Sequence, residues 1–230
     1  MVVGIIASSG GAVFATARRL YLACGSELDA RVVTDRPCDI ERLCEKLDIP
    51  HRRIEDTSAQ GFSAKAAEWL HEQQVGWICL FFTRLVTKGL FDVIPCVNVH
   101  PSLLPAFRGL GALQQALVSG VRFLGATAHA VDATTDSGPV LVQAVAPLPA
   151  GVSLQTLQRI SFAQKVYVFL VLLEALGDIS ARGPEAVRRA MRTEAGWAPG
   201  RPWASPGLRS ASLESAFWDF VASEGIEWQR

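Results

Sequence analysis

A chain of 230 residues, half of them apolar, is long enough for one main domain with a full core and an elaborated end. The 22 Lys and Arg balance the 22 Asp and Glu, which excludes the basic footprint that a phosphate backbone requires and, with it, nucleic acid as a partner. The apolar opening VVGIIA has no basic stretch ahead of it and the longest later apolar run, 166–173, is short of a membrane span, so a soluble, cytoplasmic protein without membrane contact is expected.

In chain order, residues 2–7 form a β-branched apolar run ending in SSGG, followed by an amphipathic segment from 12 to 24: a strand, a turn and a helix. The unit repeats with a strand at 30–34 and a helix at 40–47, then a short HRRI, then a helix over 63–74 before a strand at 77–82. Such alternation predicts an α/β fold with a mostly parallel sheet covered by helices on both faces. A buried strand follows at 96–100, a helix at GALQQALVSG, and two strands at 123–131 and 138–148 whose short connection makes them an antiparallel pair. Residues 153–176 carry helical spacing, with Gly177 as the stop. From 196 to 210, Pro199, Pro202 and Pro206 predict irregular chain, and a docking helix is expected around Leu213, Phe217, Phe220 and Val221. The five cysteines are odd in number and scattered, with no metal-ligand spacing, so they read as reduced core residues and no metal is expected.

The chemistry sits in NVHPSLLPAFRG, residues 98–109. In an open parallel sheet, ligands bind at the carboxyl ends of strands, and Asn98 and His100, two apart, share one face of such an end. The prolines after them stop the strand. Asp136, in the loop DATTDSG, arrives at the same edge, where a carboxylate fixes an imidazole's tautomer and raises its basicity. An amide, an imidazole and a carboxylate are the parts wanted for acyl transfer through an oxyanion. On residues alone, a hydrogen-bonded structural His and plain turn roles for Asn98 and Asp136 remain open.

NVHPSLLPAFRG and GATAHAVDATTDSGPVLVQ together resemble the two signatures of the folate-dependent formyltransferases typified by glycinamide ribonucleotide formyltransferase, with formyltetrahydrofolate deformylase as a close relative. The resemblance spans residues 1 to about 178 and is strongest over 82–143. It implies a Rossmann-like twisted sheet with one antiparallel strand near the C-terminal side, a catalytic domain over 1–180, and a Trp- and Pro-rich extension over 181–230 packed on that domain or on a partner. It also implies 10-formyltetrahydrofolate as donor, with Asn98, His100 and Asp136 catalytic. Phe82, Arg84, Leu85, Val86, Val131, Asp132 and Thr134 are then the folate-site candidates; Ser9, Gly10, Gly11, Pro101 and Ser102 are those for the acceptor, and His129 lies next to the site. A homodimer is compatible with all of this.

The match departs from the family at SSGGAVF, where Ala12 and Val13 stand in place of the Ser and Asn that help cradle a substrate phosphate. Trp197, Trp203, Trp218 and Trp228 have roles in covering a sheet edge, burying an oligomer contact or walling an enlarged acceptor pocket. The first expectation is therefore formyl transfer to the amine of a specialised small molecule. The alternatives are transfer to glycinamide ribonucleotide, deformylation by water, and folate binding without catalysis. The deformylases carry a regulatory domain before the catalytic one, which weighs against that reading for a sequence opening on strand one.

Overall fold

Strands β1 (Val2–Ala7), β2 (Asp29–Thr34), β3 (His51–Arg53), β4 (Trp77–Phe81), β5 (Cys96–His100), β6 (Phe123–Ala130), β7 (Val140–Pro147) and the two-residue β8 (Ala204–Ser205) form one sheet in the order β3-β2-β1-β4-β5-β6-β7-β8. The structure is a computed structural model that describes residues 2–193 and 197–228. β1 to β5 are parallel, and β6 runs against them, pairing antiparallel with both β5 and β7. The order reverses on either side of β1, and the carboxyl ends beyond that switch are where such sheets bind ligands.

Alternation along the strands feeds two cores. In β1, Val3, Ile5 and Ala7 point into the larger one and Ile6 into the smaller. The larger core is closed by α1 (Ala12–Ala23), α2 (Asp39–Lys46), α6 (Leu154–Ser180) and α8 (Ala211–Ser223); the smaller is closed by α3 (Ala59–Glu72) and α4 (Lys88–Phe91). The remaining helices are α5 (Ala112–Val118) and α7 (Pro184–Arg192).

Where the elements depart most from the sequence expectation, a local reason is visible. α3 starts at Ala59 rather than 63, because the Gly61 N–H donates to Ser58 Oγ (3.0 Å), which caps the helix early. α6 continues through Gly177 to Ser180: the Ser180 hydroxyl donates to the Gly177 carbonyl, and the helix end lies so close to Gly76 that a Cβ there would meet Ser180 at 2.9 Å. Burial overrides the glycine signal. α7 forms in a stretch for which the sequence predicted no element, with Pro184 in its first turn, Glu185 beside it and Arg189 and Arg192 at its end. β8 forms inside the expected irregular stretch 196–210, the first residue of which lies outside the described residues.

α6 is long and apolar enough to cross a membrane, but 83% of that window is buried within the protein, which makes it the core helix. The chain after α7 returns along the far edge of the sheet. Phe217 packs on Tyr167, Trp218 and Trp228 at 5.0–5.6 Å, Trp203 packs edge-on to Trp218 at 5.3 Å, and the Trp228 indole N–H donates to the Val145 carbonyl (3.0 Å). Trp203, Trp218 and Trp228 therefore belong to the core at the sheet edge and wall no cavity near Asn98.

Candidate active site

The carboxyl ends of β4 and β5 lie side by side and are roofed by two loops, 101–111 after β5 and 131–139 after β6. Between them opens a cavity of about 450 Å³. Its lining brings together Asn98, His100 and Asp136 with Phe82, Arg84, Leu85, Val86, Val131, Asp132 and Thr134. Leu80, Gly109, Leu110 and His129 complete much of the wall. That volume lies within the roughly 300–1,000 Å³ typical of small-molecule sites.

Asp136 is the hub. Its Oδ2 accepts from the Gly109 N–H (2.8 Å) and lies 3.4 Å from His100 Nδ1; its Oδ1 accepts from Asn98 Nδ2 (3.2 Å) and lies 3.4 Å from His129 Nε2. Its backbone is left-handed (φ 48°), a conformation that Asp tolerates better than most residues. The loop carrying it is drawn tightly against β6: a Cβ on Gly138 would stand 1.9 Å from the Ala130 carbonyl, so only glycine fits there. His100 is buried, and its Nε2 donates to the Phe107 carbonyl (2.7 Å). Its Nδ1 contact with Asp136 is longer than an ordinary hydrogen bond, which leaves that nitrogen able to serve an atom in the cavity.

Loop 101–111 is fixed from below. Thr127 Oγ1 donates to the Ser102 carbonyl (2.6 Å) and accepts from the Leu104 N–H, while the Gln143 amide donates to the Leu104 carbonyl. Phe107, Gly109 and Gly111 all take positive φ, so the turn returns sharply enough to present the Phe107 carbonyl and the Gly109 N–H to the site. Neither Thr127, Gln143 nor these backbone groups were singled out from sequence; their signal is three-dimensional, through the β5–β6 register that places His100 opposite Thr127 and Asn98 opposite His129.

The acceptor candidates are not gathered here. Ser102 is buried and donates to the Ala106 carbonyl, which makes it a turn residue, and Pro101 is half-buried beside it. Ser9, Gly10 and Gly11 sit at the end of β1; Gly11 (φ 68°) starts α1 and packs so closely on Ile40 that a Cβ would meet it at 2.6 Å. None of the five lines the cavity. Arg84 does, but its Nη2 donates to the Asp56 and Thr57 carbonyls (2.9 and 2.8 Å), its Nη1 lies 3.5 Å from Asp35, and its guanidinium stands 5.4 Å from the Phe62 ring. Those contacts tie the wall to α3 and β2.

Burial holds the His129 imidazole below the ordinary histidine range, against the opposing pull of the Ala130 carbonyl and Asp136. Burial also works against ionising Asp35, yet hydrogen bonds from Arg36, Ser8 and Arg84 outweigh it and lower its pKa. The thiols of Cys79 and Cys96 are driven up by burial, and that of Cys44 to about 12, so these cysteines behave as apolar core. Among the described residues, no group of three or more His, Cys, Asp and Glu is arranged to hold a metal.

With apolar walls from Leu80, Phe82, Val86 and Val131 and polar groups converging on one side, the cavity has the make-up of a small-molecule site. Comparison with known proteins places the chain in a family. The formyl transferase family matches residues 19–171, beginning after the turn at 8–11. The phosphoribosylglycinamide formyltransferase of Bacillus subtilis is 31% identical over 191 residues, 79% of this chain and 97% of that protein. The crystal structure of glycinamide ribonucleotide transformylase 1 from Symbiobacterium toebii superimposes with a TM-score of 0.67 at 30% identity, covering 82% of this chain and 86% of that one. A formyltetrahydrofolate deformylase of Escherichia coli is 31% identical over 126 residues, 53% of this chain and 45% of its own. With two thirds of its length matched and a near full-length relative, the chain belongs to the formyl transferase family.

Proposed function

We propose that this protein transfers the formyl group of 10-formyltetrahydrofolate to a primary amine, and that phosphoribosylglycinamide is the acceptor. The observation that carries the reaction is the convergence of Asn98, His100 and Asp136 on one cavity of ligand size. The folate supplies the activated formyl carbon; the chain binds it between Phe82, Leu85, Val86 and the loop over Val131–Asp136 and orients it toward His100. As the amine attacks, negative charge gathers on the formyl oxygen, and a donor fixed in place there lowers the barrier without reorganising. His100 is that donor: Nε2 is anchored on the Phe107 carbonyl, and Nδ1, 3.4 Å from Asp136, is the nitrogen offered to the site. The new C–N bond forms as the bond from the formyl carbon to the folate nitrogen breaks, and the proton lost by the amine ends on that nitrogen.

The names of the relatives support the ribonucleotide as acceptor. One feature favours a second reading, transfer to a specialised amine without a phosphate: the first two residues of α1 are Ala12 and Val13, with no polar side chain to offer an anion. The balanced charge and the five free cysteines support a cytoplasmic setting.

Incubation with 10-formyltetrahydrofolate and a panel of amines, followed by product analysis, tests both readings. A formylated amine is expected, and His100→Ala lowers its rate by roughly 10²-fold or more. Formate released equally with and without amine would replace transfer by hydrolysis. Turnover of His100→Ala within about tenfold of the parent would remove His100 from the mechanism.

A further inference from the structure

Lys165, on α6, is a cation without a hydrogen-bond or ion-pair partner among the described residues. It is only partly exposed, its ammonium is not sealed from solvent, and burial holds its pKa below the ordinary lysine value with no opposing charge among the described residues. Its neighbours on the helix fix where it points. The Gln164 amide donates to the Leu124 carbonyl near the start of β6 (2.8 Å), and the Phe169 ring meets that of Phe81, the last residue of β4, at 5.3 Å. At about 100° per residue, Lys165 lies between Gln164 and Phe169 around the helix, as β5 lies between β6 and β4 in the sheet. α6 runs against the parallel strands, its end at Ser180 packing on Gly76 just ahead of β4, so Lys165, a turn nearer the helix start than Phe169, stands at the carboxyl end of β5. Long side chains on a helix lean toward its N-terminus, which carries the ammonium further that way. Val97 and Val99 face α6 from β5, and by alternation Asn98 and His100 face away, so the ammonium meets the reacting groups around the strand end.

We infer that Lys165 receives an acidic group of the acceptor, a phosphate or a carboxylate, and so selects anionic amines for the transfer. The inference rests on the amine-transfer reading above. A half-buried cation without a counter-charge destabilises the fold on its own, and a bound anion offsets that. A second cation placed there is repelled, so the same residue discriminates against basic acceptors. It also gives an acceptor anion a side-chain partner that Ala12 and Val13, at the start of α1, do not.

Calorimetric titration of the parent, Lys165→Met and Lys165→Arg with ribose 5-phosphate, ribonate and ribose reads the site without turnover. One of the two anions should bind the parent roughly tenfold or more tighter than neutral ribose, and the one preferred tells phosphate from carboxylate. Lys165→Met should remove that advantage and Lys165→Arg should keep most of it. If both anions bind the parent no better than ribose, or if Lys165→Met weakens them by less than about threefold, the inference is wrong. The urea midpoint of Lys165→Met should equal or exceed the parent's; loss of binding in both variants with a lower midpoint would make Lys165 structural instead. In turnover, Lys165→Met should lower kcat/KM for anionic amines by roughly 10- to 100-fold and leave neutral amines unchanged, and an equal fall for both would overturn the selectivity. A parent that transfers no formyl group to any amine defeats the functional reading, while the titration still decides whether Lys165 holds an anion.

Discussion

Two edges of the same sheet are built from opposite materials. At the carboxyl ends of β4 and β5, Asn98, His100 and Asp136 are tied by hydrogen bonds, and the backbone takes positive φ at Phe107, Gly109, Gly111 and Asp136. Along β7 and β8 the order comes from rings, with Tyr167, Phe217, Trp203, Trp218 and Trp228 packed edge to face. Hydrogen bonds are directional and suit a site in which reacting atoms must be aimed; ring burial is undirected and suits a strap that closes a sheet edge. The contrast assigns chemistry to the first edge and stability to the second.

The largest expected effect tests the second edge. Phe217 is fully buried among four aromatic neighbours, so Phe217→Ala should destabilise the fold by about 3–5 kcal/mol, seen as a lower urea midpoint, with kcat unchanged at temperatures where the variant is folded. A matching fall in kcat for the folded variant would show that the extension reaches into the reaction. On the first edge, Asp136→Asn keeps the shape but leaves one oxygen where two accepted, from Gly109 and Asn98. The rate should drop by roughly 10²- to 10³-fold, equivalent to about 3–4 kcal/mol, with a much smaller change in urea midpoint. Loss of stability larger than loss of rate would make Asp136 a structural hub first.

His129 connects site and stability through pH. Because burial lowers its pKa in the folded protein, the unfolded chain takes up a proton that the native state refuses, so stability contributed by the neutral ring is complete above the ordinary histidine pKa of about 6.5 and is lost as pH falls below it. Chemical denaturation at a series of pH values should show this slope flattened in His129→Gln. An unchanged slope would mean that other groups carry the acid sensitivity.

The sequence made some of this plain and hid the rest for physical reasons. Strand and helix alternation gave the layered α/β fold, since periodicity of apolar residues is local information. Asn98, His100 and Asp136 were visible through spacing and resemblance, and the structure gathers them on one cavity. His129 stood in the same motif, but its contact with Asn98 depends on the β5–β6 register, which joins residues 31 apart. The Phe107 carbonyl and Gly109 N–H were invisible because backbone groups carry no letter in the sequence. α7 was masked by its few apolar residues, and the Gly177 stop was misleading because burial outweighed local preference.

The smallest effect addresses the half of the site that remains least furnished. Val13 is 9% exposed and Ala12 is exposed at the start of α1, so a pair of substitutions, Ala12→Ser and Val13→Asn, adds two polar groups at a helix N-terminus while burying one of them at a cost of about 1–2 kcal/mol in stability. A phosphate reached by two added donors should bind more tightly, lowering KM for phosphoribosylglycinamide by about tenfold, equivalent to about 1.4 kcal/mol, with kcat little changed. An amine without phosphate should be used no better than before. If the parent already uses the ribonucleotide at a low KM and the double variant gains nothing, the phosphate is held by groups other than this turn, and Ala12 and Val13 no longer argue for a different acceptor. If instead only the variant accepts the ribonucleotide, the parent's acceptor is an amine of another class, and the first turn of α1 is where the two specificities divide.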